Sequence, residues 1–184
     1  PPIGYNKTIS KIHVQKEYIM WYAILGAVLL AGDQILKYWV VTHLAVGESA
    51  PFLPGFMQLT RLHNYGAAWS SFSGRTVLLV VFTAVLLAVV ALLLLKKVVR
   101  HWTGVTACTL ILSGGIGNII DRIVHGYVVD MFDLQLFSYP VFNLADCCVV
   151  AGAILGGIYY LFLYEKYDKK KKESDHAHDP SDPS

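Results

Sequence analysis

Two aspartates stand where a membrane-spanning chain should be apolar. Asp146 closes the stretch FNLAD and is followed by the run CCVVAGAILGGIYYLFLY, while Asp130 lies in GYVVDMF with Asp133 three residues on as a competing acid. A charged side chain at the centre of a membrane helix costs about 2.5–3.5 kcal/mol, so an acid in such a place has a partner or a task. Asn143 lies three residues before Asp146 and shares its helical face. Asp130 and Asp146 converge on one depth of the membrane although 16 residues separate them. The chemistry this suits is a carboxylate pair sharing one proton. Two close carboxylates resist ionising together, so one keeps a proton while the other takes one from a water that attacks a peptide carbonyl. The protonated partner then donates to the carbonyl oxygen or to the departing amine. Neither a metal nor a nucleophilic serine is required.

Further polar residues interrupt the apolar runs. Asp33 and Lys37 are four apart, one turn above each other on a helix, and lie ~18 Å along it from Trp21. Two readings stand side by side: a self-neutralised pair with Lys37 reaching outward to water, or a pair that faces a substrate. Asn118 and Arg122 also share a face at a spacing of four, with Asp121 beside Arg122. Burying an amide, a cation and a carboxylate separately is costly, so these three should bond one another or a ligand. The same residue types build proton relays and transport sites, which keeps a small transporter as the alternative function. A serine protease lacks a nucleophile and base, because His63 and His125 are loop residues and no GxSxG occurs. Outer acids alone make a poor metal site, His176 and His178 have no ordered partner, and the lone GxG at 115–117 follows no strand. The three cysteines, Cys108, Cys147 and Cys148, all fall in apolar runs and read as small core residues instead of disulfides.

The elements that must position these groups are membrane helices. The chain of 184 residues is 55% hydrophobic and 15% charged, with a mean hydropathy of +0.49. Four apolar stretches are long enough to cross a ~30 Å hydrocarbon core: about Trp21 to Val41, Thr76 to Leu95, Trp102 to Ile123 and Val141 to Tyr164. Lysine and arginine cluster before the first span, after the second and after the fourth, which puts both termini on the cytoplasmic side. Segments 43–75 and 124–140 then lie outside, the former holding patches such as FMQLTRL that read as a short strand and an interfacial element. The expected fold is an all-α membrane protein of four transmembrane helices with a small extracytoplasmic β/loop element and a short interfacial helix. Its expected division is a polar N-terminal extension over 1–19, a membrane domain over 20–165 and a charged disordered tail over 166–184. The N-terminal segment lacks the layout of a cleaved signal peptide, and Met20 reads as an alternative start. Small residues at SGGIG (113–117) and the GxxxG pair Gly152 and Gly156 should let helices approach closely.

Taken together, GDQILK (32–37), LHNYGAAWS (62–70), GGIGNIIDRIVHGYVVDMF (114–132) and PVFNLAD (140–146) resemble the signature blocks of lipoprotein signal peptidase, also called signal peptidase II. The resemblance runs from about Met20 to Tyr164 with the blocks in order. It implies an intramembrane aspartic protease, free of cofactor and metal. Such an enzyme cleaves diacylglyceryl-modified prolipoproteins just before the lipidated cysteine, in the bacterial cytoplasmic membrane. It further implies that Asp130 and Asp146 are the catalytic pair, and that Asp33, Lys37, Asn64, Gly114, Asn118, Asp121, Arg122, Asn143 and Ala145 support or line the site. LHNYGAAWS becomes a lid over the lipid-anchored peptide, with Asn64 and Arg122 positioning its backbone or lipid head. The expected partners are the precursor and membrane lipids, with no nucleic acid, for a monomeric enzyme. Trp69 stands where the family often has Phe, and Met131 intervenes in a block that commonly reads DF, departures expected to alter pocket shape.

Overall fold

Residues 3–66 and 74–169 are described by the computed structural model, with side chains from Ile19 to Asp168 outside the segment 67–73. The lid residues from Ala67 to Ser70, including Trp69, and the histidines of the tail lie outside the described residues. Among the described residues four helices are long and apolar enough to cross a membrane. They are α1 (Ile3–His43), α2 (Thr76–Leu95), α3 (Trp102–His125) and α4 (Leu144–Ile158), the last continued by π-helical turns Tyr159–Leu163 and Glu165–Lys169. The helix α1 runs unbroken through residues that read as a polar extension, joining them to the first span. Between α1 and α2 lie β1 (Ser49–Leu53) and β2 (Met57–Asn64), and β3 (Val128–Leu134) follows α3. The three strands form an antiparallel sheet in the order β1-β2-β3.

The helix α3 packs against all three other helices, and its residue types explain why. Its buried face is lined by Thr103, Gly104, Ala107, Ser113, Gly114, Gly115, Gly117, Asn118 and Asp121, small or polar side chains that admit close helix contact. A Cβ on Gly114 would run into the carbonyl oxygen of Ala145, and one on Gly152 would come within 2.9 Å of the Ala107 oxygen. Gly156 has ordinary room and Gly157 meets nothing within 4 Å, so only half of the GxxxG pair is a tight contact. By contrast α2, which carries no charged residue, turns most of its leucines and valines outward.

Two boundaries differ from the sequence reading. The helix α4 begins at Leu144, three residues later than expected, because Asn143 is its N-cap and Phe142 is bridged to Phe132. Residues 166–168 were expected to start a solvated tail, yet they are helical and Asp168 is buried. Among the described residues the segment 43–66 holds strands and no interfacial helix.

The strand β3, which the sequence did not announce, orients the first acid. Val129 and Met131 point into a core with Val40 and Leu44, so the alternation of a strand turns Asp130 to the opposite face, toward α4. Met131 is fully buried in that core.

The contrast between two glycines tests the packing. Gly114→Ala is expected to lose about 1–3 kcal/mol of stability through overpacking against the α4 backbone, whereas Gly157→Ala should unfold like the wild type. Thermal unfolding in detergent reads both. Equal stability of the two variants would mean that α3 and α4 are not in close backbone contact.

Candidate active site

The N-terminus of α4 is built by a reciprocal cap. The Asn143 side-chain oxygen accepts the Asp146 backbone N–H at 2.9 Å, and the Asp146 carboxylate accepts the Asn143 N–H at 3.2 Å. This capping box fixes Asp146 in the first turn, where unpaired N–H groups and the helix dipole favour a negative charge. Asp33 adds to it from α1, its carboxylate accepting the Ala145 N–H at 2.9 Å.

Asn143 also joins the two acids. Its side-chain nitrogen donates to Asp130 at 2.6 Å, while its oxygen and backbone hold Asp146. Asp130 accepts a second bond from the Asn64 side chain at 2.9 Å, and Asp146 accepts one from Asn118 at 2.8 Å. Asn64 sits diagonally from Asp130 across the β2-β3 ladder, since Leu62 pairs with Asp130 and Asn64 with Val128. Asp130 is 1% exposed and Asn143 is fully enclosed, whereas Asp146 keeps partial access to the surface. Burial first, and then the neighbouring Asp146, pushes the Asp130 carboxyl up to about 7, against the opposing pull of its bonds from Asn64 and Asn143.

Behind this layer lies one ammonium group. Lys37 Nζ is 2.8 Å from Asp33 and 3.0 Å from Asp121, and it donates to Asn118 Oδ1 at 3.1 Å. Lys37 is 3% exposed, so it does not reach outward to water, and the reading of a self-neutralised pair near the surface gives way to a buried cluster of three charges. Asn118, Asp121 and Arg122 were expected to bond one another or a ligand; the Asp121 carboxylate instead meets Lys37 and accepts the Val129 N–H of β3 at 3.0 Å. Arg122 donates to the carbonyl oxygens of Gly66 at 2.9 Å and Asn118 at 3.3 Å. It thereby holds the base of the segment that the sequence suggested as a lid. Gly66 is tied again through its N–H to Asn64 Oδ1 at 2.9 Å.

All the residues singled out from the sequence thus fall in one neighbourhood, with Gly114 and Ala145 forming the backbone contact beneath it. Asp133 is not among them. It accepts bonds from Gln58 at 2.7 Å and Thr60 at 3.2 Å within the sheet. Two residues were missed. Gln34 donates to Asp33 and to Asp121, both at 3.2 Å, closing the ring around Lys37. Gly117 leaves room for Asp33, because a Cβ there would lie 2.7 Å from its carboxylate. Gln34 stands within GDQILK, yet adjacency to Asp33 does not signal a bond across to α3. Among the described residues no three His, Cys, Asp or Glu side chains are arranged to hold a metal ion. His63 stacks on Tyr127 at 3.8 Å, and burial together with Arg61 and His125 lowers its pKa, keeping it neutral.

Comparison with known proteins gives the arrangement a context. Residues 25–162 match the family model described as signal peptidase (SPase) II. A lipoprotein signal peptidase of Enterococcus faecalis is 40% identical over 151 residues, which cover 82% of this chain and 93% of that protein. A lipoprotein signal peptidase of Lactococcus lactis is 38% identical over 149 residues, covering 81% of this chain and 95% of that one. A solved structure described as a bacterial membrane enzyme superposes with a TM-score of 0.74 at 29% identity, covering 84% of this chain and 94% of the other. A second of the same description gives 0.73 at 31% identity, covering 79% and 96%.

Lys37 is the point at which the site is most vulnerable. Lys37→Met leaves two buried carboxylates without their cation and is expected to destabilise the protein by about 3–5 kcal/mol. Adding Asp33→Asn and Asp121→Asn should recover part of that loss, because the uncompensated charges are then gone. Denaturation in detergent distinguishes the two. If Lys37→Met unfolds at the wild-type midpoint, the ammonium does not hold the cluster.

Proposed function

The chain belongs to the signal peptidase II family, a membrane peptidase that removes signal peptides from prolipoproteins, and we propose that it does so with Asp130 and Asp146 as a water-activating pair. The observation that carries this reading is Asn143, a single enclosed residue whose side-chain nitrogen donates to the Asp130 carboxylate and whose backbone N–H donates to that of Asp146. The substrate is a diacylglyceryl-modified precursor, cut just before the lipidated cysteine. Four apolar helices and the family make the protein a multi-pass protein of a bacterial membrane. Its termini face the cytoplasm and its sheet and acid pair face outward, as the basic clusters at 96–100 and 166–172 suggest. The acyl chains of the substrate then stay in the bilayer while the peptide reaches the acids at the mouth of the bundle.

The two acids have unequal surroundings, which supports unequal roles. Asp146 is partly accessible, lies in the first turn of α4 and accepts a backbone N–H there, so it is the ionised member that takes a proton from water. Asp130 lies on a strand, is enclosed and gains nothing from a helix end, so it holds the shared proton and donates it to the carbonyl oxygen. Arg122, anchored at Gly66, and Asn64, anchored at Asp130, orient the peptide that enters between them. The transport alternative has little support, because Asp33, Lys37 and Asp121 saturate one another.

Asp130→Asn and Asp146→Asn should each abolish cleavage of a diacylglyceryl-modified precursor while leaving the melting temperature near that of the wild type. Retained turnover in either variant would remove that residue from the pair.

The active form carries the proton on Asp130, so kcat/KM should fall as pH rises through about 7, where that carboxyl ionises. The bond from Asn64 favours the ionised form, so Asn64→Ala should raise the pKa and carry the alkaline limb to higher pH. A limb that stays in place or moves to lower pH would assign the proton elsewhere.

A further inference from the structure

The end of the bundle remote from the acid pair holds another buried carboxylate, which peptide hydrolysis does not use. Asp168 is 4% exposed, accepts the Tyr159 hydroxyl at 2.5 Å, and accepts the backbone N–H groups of Arg100 and His101 at 3.0 and 3.1 Å. These N–H groups precede α3, so the carboxylate faces the positive end of that helix. Burial pushes the Asp168 carboxyl up, but its three hydrogen bonds outweigh this and hold it below the usual carboxylate range, so it is charged at neutral pH. Tyr159 is itself enclosed against Val99 and Cys108. Gly104 makes way for it, since a Cβ there would lie 2.9 Å from the Tyr159 ring. His101 stacks on Tyr167 at 4.6 Å and bonds the Thr103 hydroxyl at 2.7 Å. The family match ends at residue 162, so Asp168 lies beyond it.

This clasp binds the arm after α4 to the connection between α2 and α3, and both are basic. The connection carries Lys96 and Lys97, both exposed, with Lys97 at a φ of 53° that a non-glycine residue seldom adopts. The arm carries the exposed Lys166, and the sequence continues as Lys169 to Lys172. An anionic surface facing these exposed ammonium groups would offset their mutual repulsion. The Lys166 ammonium lies over the Tyr167 ring at 5.1 Å, and Trp102, Tyr160 and Tyr167 are exposed at this end of the bundle, residue types that settle at the level of lipid headgroups.

We propose that this end of the protein is a docking surface for anionic phospholipid headgroups, formed by Lys96, Lys97 and Lys166 and held in shape by the clasp of Asp168 with Tyr159. The source of the anion is the adjoining leaflet, to which the surface is continuous with the apolar belt of the helices. The proposal rests on the membrane placement given above, but symmetric bilayers test it whichever face is cytoplasmic.

The test uses the full chain reconstituted in phosphatidylcholine with traces of spin-labelled phosphatidylglycerol or phosphatidylcholine, and reads their relative association by electron paramagnetic resonance. The wild type should prefer phosphatidylglycerol, and salt should weaken the preference. Replacing Lys96, Lys97 and Lys166 together by Gln should lower it, by up to about fivefold for each lysine engaged. Asp168→Asn is the decisive variant. Removing a negative charge raises the association if net charge alone matters, whereas loss of the clasp lowers it. Tyr159→Phe keeps the Asp168 charge and should also lower it. No preference in the wild type, or a preference unchanged or raised in both clasp variants, overturns the proposal. Precursor cleavage at the wild-type rate in detergent reports that the variants are folded. Lipid association is read without substrate, so a failure of the acid pair in its own test leaves this result standing.

Discussion

Everything at the site end depends on the ammonium of Lys37. It touches Asp33, Asp121 and Asn118, and each of the three reaches a different part of the site. Asp33 caps α4 at Ala145, Asp121 holds the start of β3 at Val129, and Asn118 donates to Asp146. One cation therefore fixes the helix that bears one acid, the strand that bears the other and the amide between them. The charge balance also limits what the acids can do. Lys37 and Arg122 face Asp33, Asp121, Asp130 and Asp146 in a largely enclosed space, so four ionised carboxylates would leave two negative charges uncompensated. Leaving one proton on the pair is the cheapest relief, and Asp130 is the member with the least favourable place for a charge.

The network can be this rigid because its parts stand on close-packed elements. Gly114 lets the α3 backbone meet that of α4 at Ala145, one residue from Asp146, and Gly117 makes space for the Asp33 carboxylate. Larger side chains would collide with the α4 backbone at position 114 and with the Asp33 carboxylate at position 117. The link to the segment ending at Gly66 is looser. It runs from Arg122 through the Gly66 carbonyl and from Gly66 to Asn64, which in turn holds Asp130. A displacement at Gly66 is thus felt at the acid through only two hydrogen bonds.

Much of this could be read in the sequence, for physical reasons that also set the limit. Uncharged or sparingly charged runs of about 20 residues have few fates other than membrane helices, so the four spans were legible. The spacing of four put Asp33 and Lys37 on one helix face, so a contact between them could be read from local geometry although its role stayed open. Asp121 could not be assigned the same way. Its choice of Lys37 over Arg122 depends on how α3 is rotated against α1, which local spacing does not encode. The same holds for Gln34, whose partner is 87 residues away. The β3 strand was hidden because VVDMFDL alternates too briefly, and its pairing with β2 is made by the fold. The cap at Asn143 was legible in principle, since N-x-x-D is the pattern of a capping box, but the apolar residues before it extended the apparent helix to Val141.

The two ends of the bundle use one physical rule in opposite directions. The helices α3 and α4 are antiparallel neighbours, so their N-termini lie at opposite ends. Each N-terminus receives a carboxylate from another element: Asp33 of α1 at Ala145, and Asp168 of the arm at Arg100 and His101. The glycines let the two backbones approach closely, and a shift of one helix along the other would strain these charged contacts as well as the packing. Carboxylates at both ends oppose such a shift, since motion in either direction breaks a charged hydrogen bond at one of them. The depth at which Asn118 meets Asp146 is therefore set by both ends of the molecule, one of which lies beyond the segment that matches the family.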